Sequence, residues 1–267
     1  MIRIFLLLVS INSFAQSLEA NKEVRLSFEP ILSSIDQSGN LYLVTNRGLV
    51  VKYSSKGDSL LSFFPKKNGS ITSIDARSGL RPFIFYKDFQ EYAFLNQFIT
   101  AASFHSFYPD LIDFAELVAV SSDNNLWVID ANDFSIKKYN PTNNTLELES
   151  PLNLVLDEND YDITQLKEYQ NILFIHDRNN GLYLFDIYGS LQKKYDLDVE
   201  FINFYKDLIY YKKDDYLISL NIYSGSKTLI PIPIFSNPIQ ILRNANQVYF
   251  IEKTRIVVFN YNEEGKK

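Results

Sequence analysis

The sequence contains no cysteine. This excludes disulfides, thiolate catalysis, cysteine-ligated zinc and lipid attachment through an N-terminal cysteine. Histidine is almost as scarce, with only His105 and His176 among 267 residues. A metal centre needs three or four donors converging in space, and the spacing of these two points to none. Positive charge is in deficit: 26 Lys and Arg stand against 32 Asp and Glu, a net charge of -6. Binding of nucleic acid through its phosphates is therefore not expected. No G-x-S-x-G, G-x-G-x-x-G or phosphate-loop pattern occurs, and no cofactor is implied. Beyond the N-terminal region no segment runs uncharged for the roughly 20 apolar residues that a membrane span requires.

What is abundant is aromatic and β-branched. Aromatic residues make up 15% of the chain, with 21 Phe and 18 Tyr, and hydrophobic residues make up 46%. Such residues fit a pleated, half-buried surface, so strands are expected rather than helices. No window carries a 3.6-residue apolar stripe of helical length. A chain of this length buries about three quarters of its unfolded surface, enough for a full core in one all-β domain.

The N-terminus has the three-part layout of a secretory signal. Met1-Ile2-Arg3 is positive, Ile4 to Val9 is apolar, and Ser13-Phe14-Ala15 places small residues before a cut at Gln16. The reading is a signal peptide over 1–15 and a single domain over 16–267, exported to the periplasm or beyond. The Phe14-Ala15-Gln16 junction resembles those of proteins exported by bacteria with a type IX secretion apparatus.

The remainder repeats. A turn with Asn, Asp or Gly precedes a short apolar run, then a second turn and a second run. The first runs start near Leu41, Phe83, Leu126, Ile172, Leu208 and Val248, a period of about 40 residues. Their partners include Gly48–Tyr53, Ser135–Tyr139, Gly181–Phe185 and Arg255–Phe259. Six such units predict an all-β, six-bladed β-propeller of four-stranded antiparallel blades. The sixth unit ends after its third strand. The spare strand Glu23–Phe28 is expected to complete it and so close the last blade, removing an exposed edge. Three alternatives stay open: a second register for Glu116–Tyr139, a partial seventh blade around Phe104–Ile112, and a β-sandwich or twisted barrel.

Asn40-Leu41-Tyr42-Leu43-Val44 with Gly48–Tyr53, and Asn125-Leu126-Trp127-Val128 with Ile136–Pro141, carry a family resemblance. These units resemble the degenerate repeats of NHL and two-component-regulator propellers. The resemblance implies the fold; propellers host binding, scaffolding and catalysis alike.

Candidate chemistry is sparse. Asp157-Glu158-Asn159-Asp160-Tyr161-Asp162 is the densest acidic run. It fails the calcium-loop pattern because Tyr161 replaces a ligand and Asp162 replaces the glycine. Trp127 has apolar neighbours on both sides and reads as core. Phe104, His105, Phe107 and Tyr108 form an apolar link expected between blades. Ile232, Ile234 and Phe235 lie among Pro231, Pro233 and Pro238, the mark of a blunted edge strand. Both groups are the expected partner contacts. The leading reading is a non-catalytic, exported binding or scaffold subunit, with a protein partner in an outer-membrane secretion or translocon complex. The competing reading is a periplasmic hydrolase or lyase acting on glycans or lactones through acidic residues in a central funnel.

Overall fold

The computed structural model describes residues 18–65, 69–233 and 236–261. The expected signal peptide and its cut after Ala15 lie outside them, as do Ile234 and Phe235.

The described residues form 24 strands in six four-stranded antiparallel sheets. The first five sheets are consecutive quartets. They are β2 (Pro30–Ile35), β3 (Leu41–Thr45), β4 (Val50–Tyr53) and β5 (Ser59–Phe63); β6 (Ser73–Asp75), β7 (Phe83–Tyr86), β8 (Glu91–Leu95) and β9 (Ala102–Ser106); β10 (Ala115–Val120), β11 (Leu126–Asp130), β12 (Ser135–Asn140) and β13 (Thr145–Pro151); β14 (Ile163–Tyr169), β15 (Ile172–Asp177), β16 (Gly181–Phe185) and β17 (Leu191–Tyr195); and β18 (Asn203–Tyr205), β19 (Leu208–Lys213), β20 (Tyr216–Asn221) and β21 (Lys227–Pro231). The sixth runs in the order β1-β24-β23-β22. Its inner strands are β22 (Gln240–Arg243), β23 (Gln247–Ile251) and β24 (Arg255–Asn260); its outermost is β1 (Ala20–Arg25). The fold is a six-bladed β-propeller closed by its N-terminal strand.

Closure pairs Glu23 with Val257 and Val24 with Ile256. The closing strand sits three residues earlier than Glu23–Phe28. Leu18, just before it, is buried among blade 5 and blade 6 side chains, and that contact draws the pairing toward the N-terminus. Each predicted first run is the second strand of a blade, and each following run is the third. The second register and the seventh blade are absent from the described residues.

Six apolar clusters hold the ring, one at each blade–blade junction. One example packs Phe83, Phe85 and Tyr92 of blade 2 against Leu126, Val128 and Tyr139 of blade 3. Middle strands are therefore covered on both faces. Leu41–Thr45, Leu126–Asp130 and Gly181–Phe185 are buried at every position. That is why they read as unbroken apolar runs rather than alternating ones.

Polar side chains stitch neighbouring blades. Gln165 of blade 4 donates to the Ile202 carbonyl at 3.1 Å and accepts from the Ile202 N–H at 2.7 Å, at the entrance to blade 5. Asn203 donates to the Ile241 carbonyl, blade 5 to blade 6, at 2.9 Å. Ser34 accepts the Ala76 N–H, blade 1 to blade 2, at 2.9 Å. Each satisfies a backbone group that would otherwise be buried and unpaired.

Candidate functional site

The chain reverses at every strand. One face of the ring therefore carries the turns between first and second and between third and fourth strands. The other carries the remaining turns and the inter-blade linkers. Two concavities follow from this layout.

The first is a groove of about 630 Å³ on the turn face, where blade 1 meets blade 2. Its rim is apolar. Leu60 on β5, Leu80 between β6 and β7, and Phe98 between β8 and β9 are exposed by 49%, 72% and 58%. Its floor is polar. Asp36 is buried and accepts the N–H groups of Ser38 and Asn40 at 2.9 Å each, the Asn40 side-chain amide at 2.9 Å and the Tyr42 hydroxyl at 3.3 Å. Lys52 lies 3.9 Å from Asp36 and 5.0 Å above the Tyr42 ring. Burial and the neighbouring Asp36 charge push the Tyr42 phenol well up, so it stays a hydrogen-bond donor. Arg77 also lines this groove.

The second is the axial channel, a cavity of about 100 Å³ bordered by the first strands of all six blades. Among its described lining residues one, Lys167, is charged, and Asp75 at the end of the first strand of blade 2 opposes that charge. Arg77 Nε bonds both oxygens of Asp75, at 3.0 and 2.8 Å, and Arg77 also reaches the backbone carbonyls of Val120 and Glu168. One guanidinium thus joins blades 2, 3 and 4. Burial works against the Asp75 charge, but Lys167 and Arg77 outweigh it and hold the carboxyl below its usual range. Lys167 on β14 is driven down to about 8, chiefly by burial, with Asp75 opposing and Arg77 adding to the shift.

The expected contact residues divide. Phe104 and His105 are not in a link between blades: they belong to β9 (Ala102–Ser106), the outer strand of blade 2. Both are exposed there, His105 stacking on Tyr92 at 5.4 Å. Tyr108 is 51% exposed. Phe107 is buried, packed on Phe85, Tyr92 and Tyr139. Ile232 is also buried, in the cluster between blades 5 and 6. The edge strand β21 (Lys227–Pro231) ends just before it, and its N–H is used by the Asp215 carbonyl at 2.9 Å. The burial of Phe107 and Ile232 shares a cause: each lies beside a strand end and drops into the nearest blade junction. Trp127 is fully buried, as expected.

Leu60, Leu80, Phe98 and Lys167 had no place in the sequence reading. Leu80 and Phe98 did carry a signal, because each is a large apolar residue inside a polar turn, Ser78-Gly79-Leu80-Arg81 and Asn96-Gln97-Phe98. Among the described residues no group of three or more His, Asp or Glu stands close enough to hold a metal ion. No helix among them is long and apolar enough to cross a membrane.

No protein-family model matches the chain, and no curated protein matches it in sequence. Solved structures do. The WD40 domain of Neurospora crassa Pan2 matches at a TM-score of 0.62 and 8% identity, over 93% of this chain and 97% of that one. Virginiamycin B lyase from Staphylococcus aureus, an inactive H270A form with quinupristin, matches at 0.57 and 11%, over 86% and 80%. YCF48 bound to D1 peptide matches at 0.56 and 8%, over 93% and 100%. These likenesses carry the fold. At such identities the likeness shows the propeller alone.

Proposed function

We propose that this propeller is a non-catalytic binding subunit that docks a partner polypeptide in the groove between blades 1 and 2. The observation that carries the reading is the apolar rim of Leu60, Leu80 and Phe98 around a polar floor. Exposed large apolar side chains gathered on one concavity mark an interaction site. The occupant follows from the lining. Its charges are answered within the chain, Lys52 by Asp36 at 3.9 Å and Arg77 by Asp75. The groove therefore fits an extended, apolar segment. The contact continues over the outer strand of blade 2, where Phe104 and His105 are exposed. YCF48, similar in fold, is bound to the D1 peptide, which supports a peptide mode.

The finer reading is an exported scaffold in an outer-membrane complex. It is supported by the N-terminal layout Met1–Ala15 and by the absence of a lipid-anchoring cysteine. The test places a photo-crosslinking amino acid at Leu80, at Phe98 or, as a control, at Tyr223 in the full chain expressed in its host. One discrete envelope protein should crosslink from Leu80 and Phe98, and Leu60→Glu should abolish it. Equal yields from all three positions, or an adduct indifferent to Leu60→Glu, would overturn the groove as the docking site. An adduct confined to the soluble fraction would overturn the envelope assignment alone.

A further inference from the structure

The axial channel holds polar groups that the fold does not use. Ser33 Oγ on β2 and Gln240 Oε1 on β22 line it, and both atoms are buried without a hydrogen-bond partner. A buried acceptor or donor left unpaired costs about 1–3 kcal/mol, so natural structures seldom keep two beside one cavity without an occupant. Lys167 lines the same cavity. The charge opposing it, Asp75, is shared with Arg77, which bonds both Asp75 oxygens. Lys167 is the one charged side chain among the described residues that line the cavity.

We propose that the axial channel is a binding site for a small hydroxycarboxylate. The carboxylate faces the Lys167 ammonium, which supplies donors that no described residue accepts. The hydroxyl donates to Gln240 Oε1, and Ser33 Oγ donates to the ligand. The size is consistent: about 100 Å³ exceeds the 10–15 Å³ that one water occupies on this measure, yet suits only a few heavy atoms. Burial lowers the Lys167 ammonium more than Asp75 restores it, and a bound carboxylate would act in the same sense as Asp75. This inference is independent of the groove and stands or falls without it.

The experiment is a thermal-shift and calorimetric titration of the full chain with lactate, with acetate and chloride at matched ionic strength as comparators. A ligand that binds only the folded state raises Tm saturably. Lactate should do so more effectively than acetate, and chloride should not. Lys167→Met should weaken lactate about ten-fold or more. Gln240→Leu should bring lactate down to the acetate level. Circular dichroism establishes that each variant is folded. Equal shifts from lactate and chloride, or an undiminished lactate response in Lys167→Met, would overturn the proposal. So would a crystal structure grown with lactate that shows only water in the channel, a readout that needs no variant.

Discussion

Trp127 of blade 3 donates its indole N–H to the Glu168 carboxylate of blade 4 at 2.6 Å, and both side chains are buried. The same carboxylate accepts the Ser121 hydroxyl at 2.5 Å and the Ser122 N–H at 2.9 Å. Burial opposes the Glu168 charge, but these three donors outweigh it and hold the carboxyl below its ordinary range. One charged group thus replaces solvent for three donors across a blade junction.

Glu168→Ala leaves the Trp127 and Ser121 donors buried and unpaired. The expected loss is about 2 kcal/mol or more, since each orphaned buried group costs about 1–3 kcal/mol. Glu168→Gln, which keeps an acceptor, should cost less. Urea unfolding measures both, and a loss below about 1 kcal/mol for Glu168→Ala would contradict the assigned role.

His176 supplies a pH dependence. It is fully buried, its Nδ1 pairs with Thr164 Oγ1 at 2.9 Å, and its Nε2 has no partner. Burial drives its pKa down to about 4, with Asp177 and Asp162 opposing and Arg178 adding to the shift. The folded state therefore resists a proton that the unfolded chain accepts near 6.5. Above pH 6.5 the ring is neutral in both states. As pH falls from about 6.5 to about 4, stability should drop by about 3 kcal/mol from this group, then level off. Unfolding curves of the parent chain and His176→Leu across that window isolate the effect. Parallel pH profiles would refute it.

Two glycines with positive φ should respond differently to alanine. Gly181 has φ +108°, and a Cβ there would run into the Tyr195 carbonyl oxygen of the neighbouring strand. Gly225 has φ +72° and open space around it. Gly225→Ala should cost about 1 kcal/mol from the backbone alone. Gly181→Ala should cost clearly more, because strand β17 must move. Similar Tm values for the two variants would remove the clash argument.

Closure by β1 is testable by truncation. A chain starting at Ser27 loses Leu18 from the core, the β1–β24 ladder, and the Glu23–Arg255 pair at 3.1 Å. It also bares the β24 edge, a template for pairing with other chains. Size-exclusion chromatography should show association, and Tm should fall by about 10 °C or more. A monomer with the parent Tm would mean that the ring does not depend on this strand.

The blade period was legible because every second and third strand is buried on both faces, which produces short, dense apolar runs such as Leu41–Val44 and Gly181–Phe185. The innermost strands were not legible. β6 (Ser73–Asp75) and β18 (Asn203–Tyr205) are three residues long, and all six line a partly polar channel, so their apolar signal is weak. The exposure of the expected contact residues was not legible either. Phe107 and Ile232 look like surface patches in sequence but fill blade junctions.

Composition and periodicity by themselves determined the class, the number of blades and the closing role of the N-terminal strand. Burial pattern and turn spacing are local properties, and the ring repeats them six times. Tertiary structure alone decided the sites. Leu60, Leu80 and Phe98 meet because two adjacent blades put different turns on one face. Ser33, Lys167 and Gln240 meet because closure brings the first strands of distant blades to one axis. Such convergence depends on the angle between blades, which no stretch of neighbouring residues encodes.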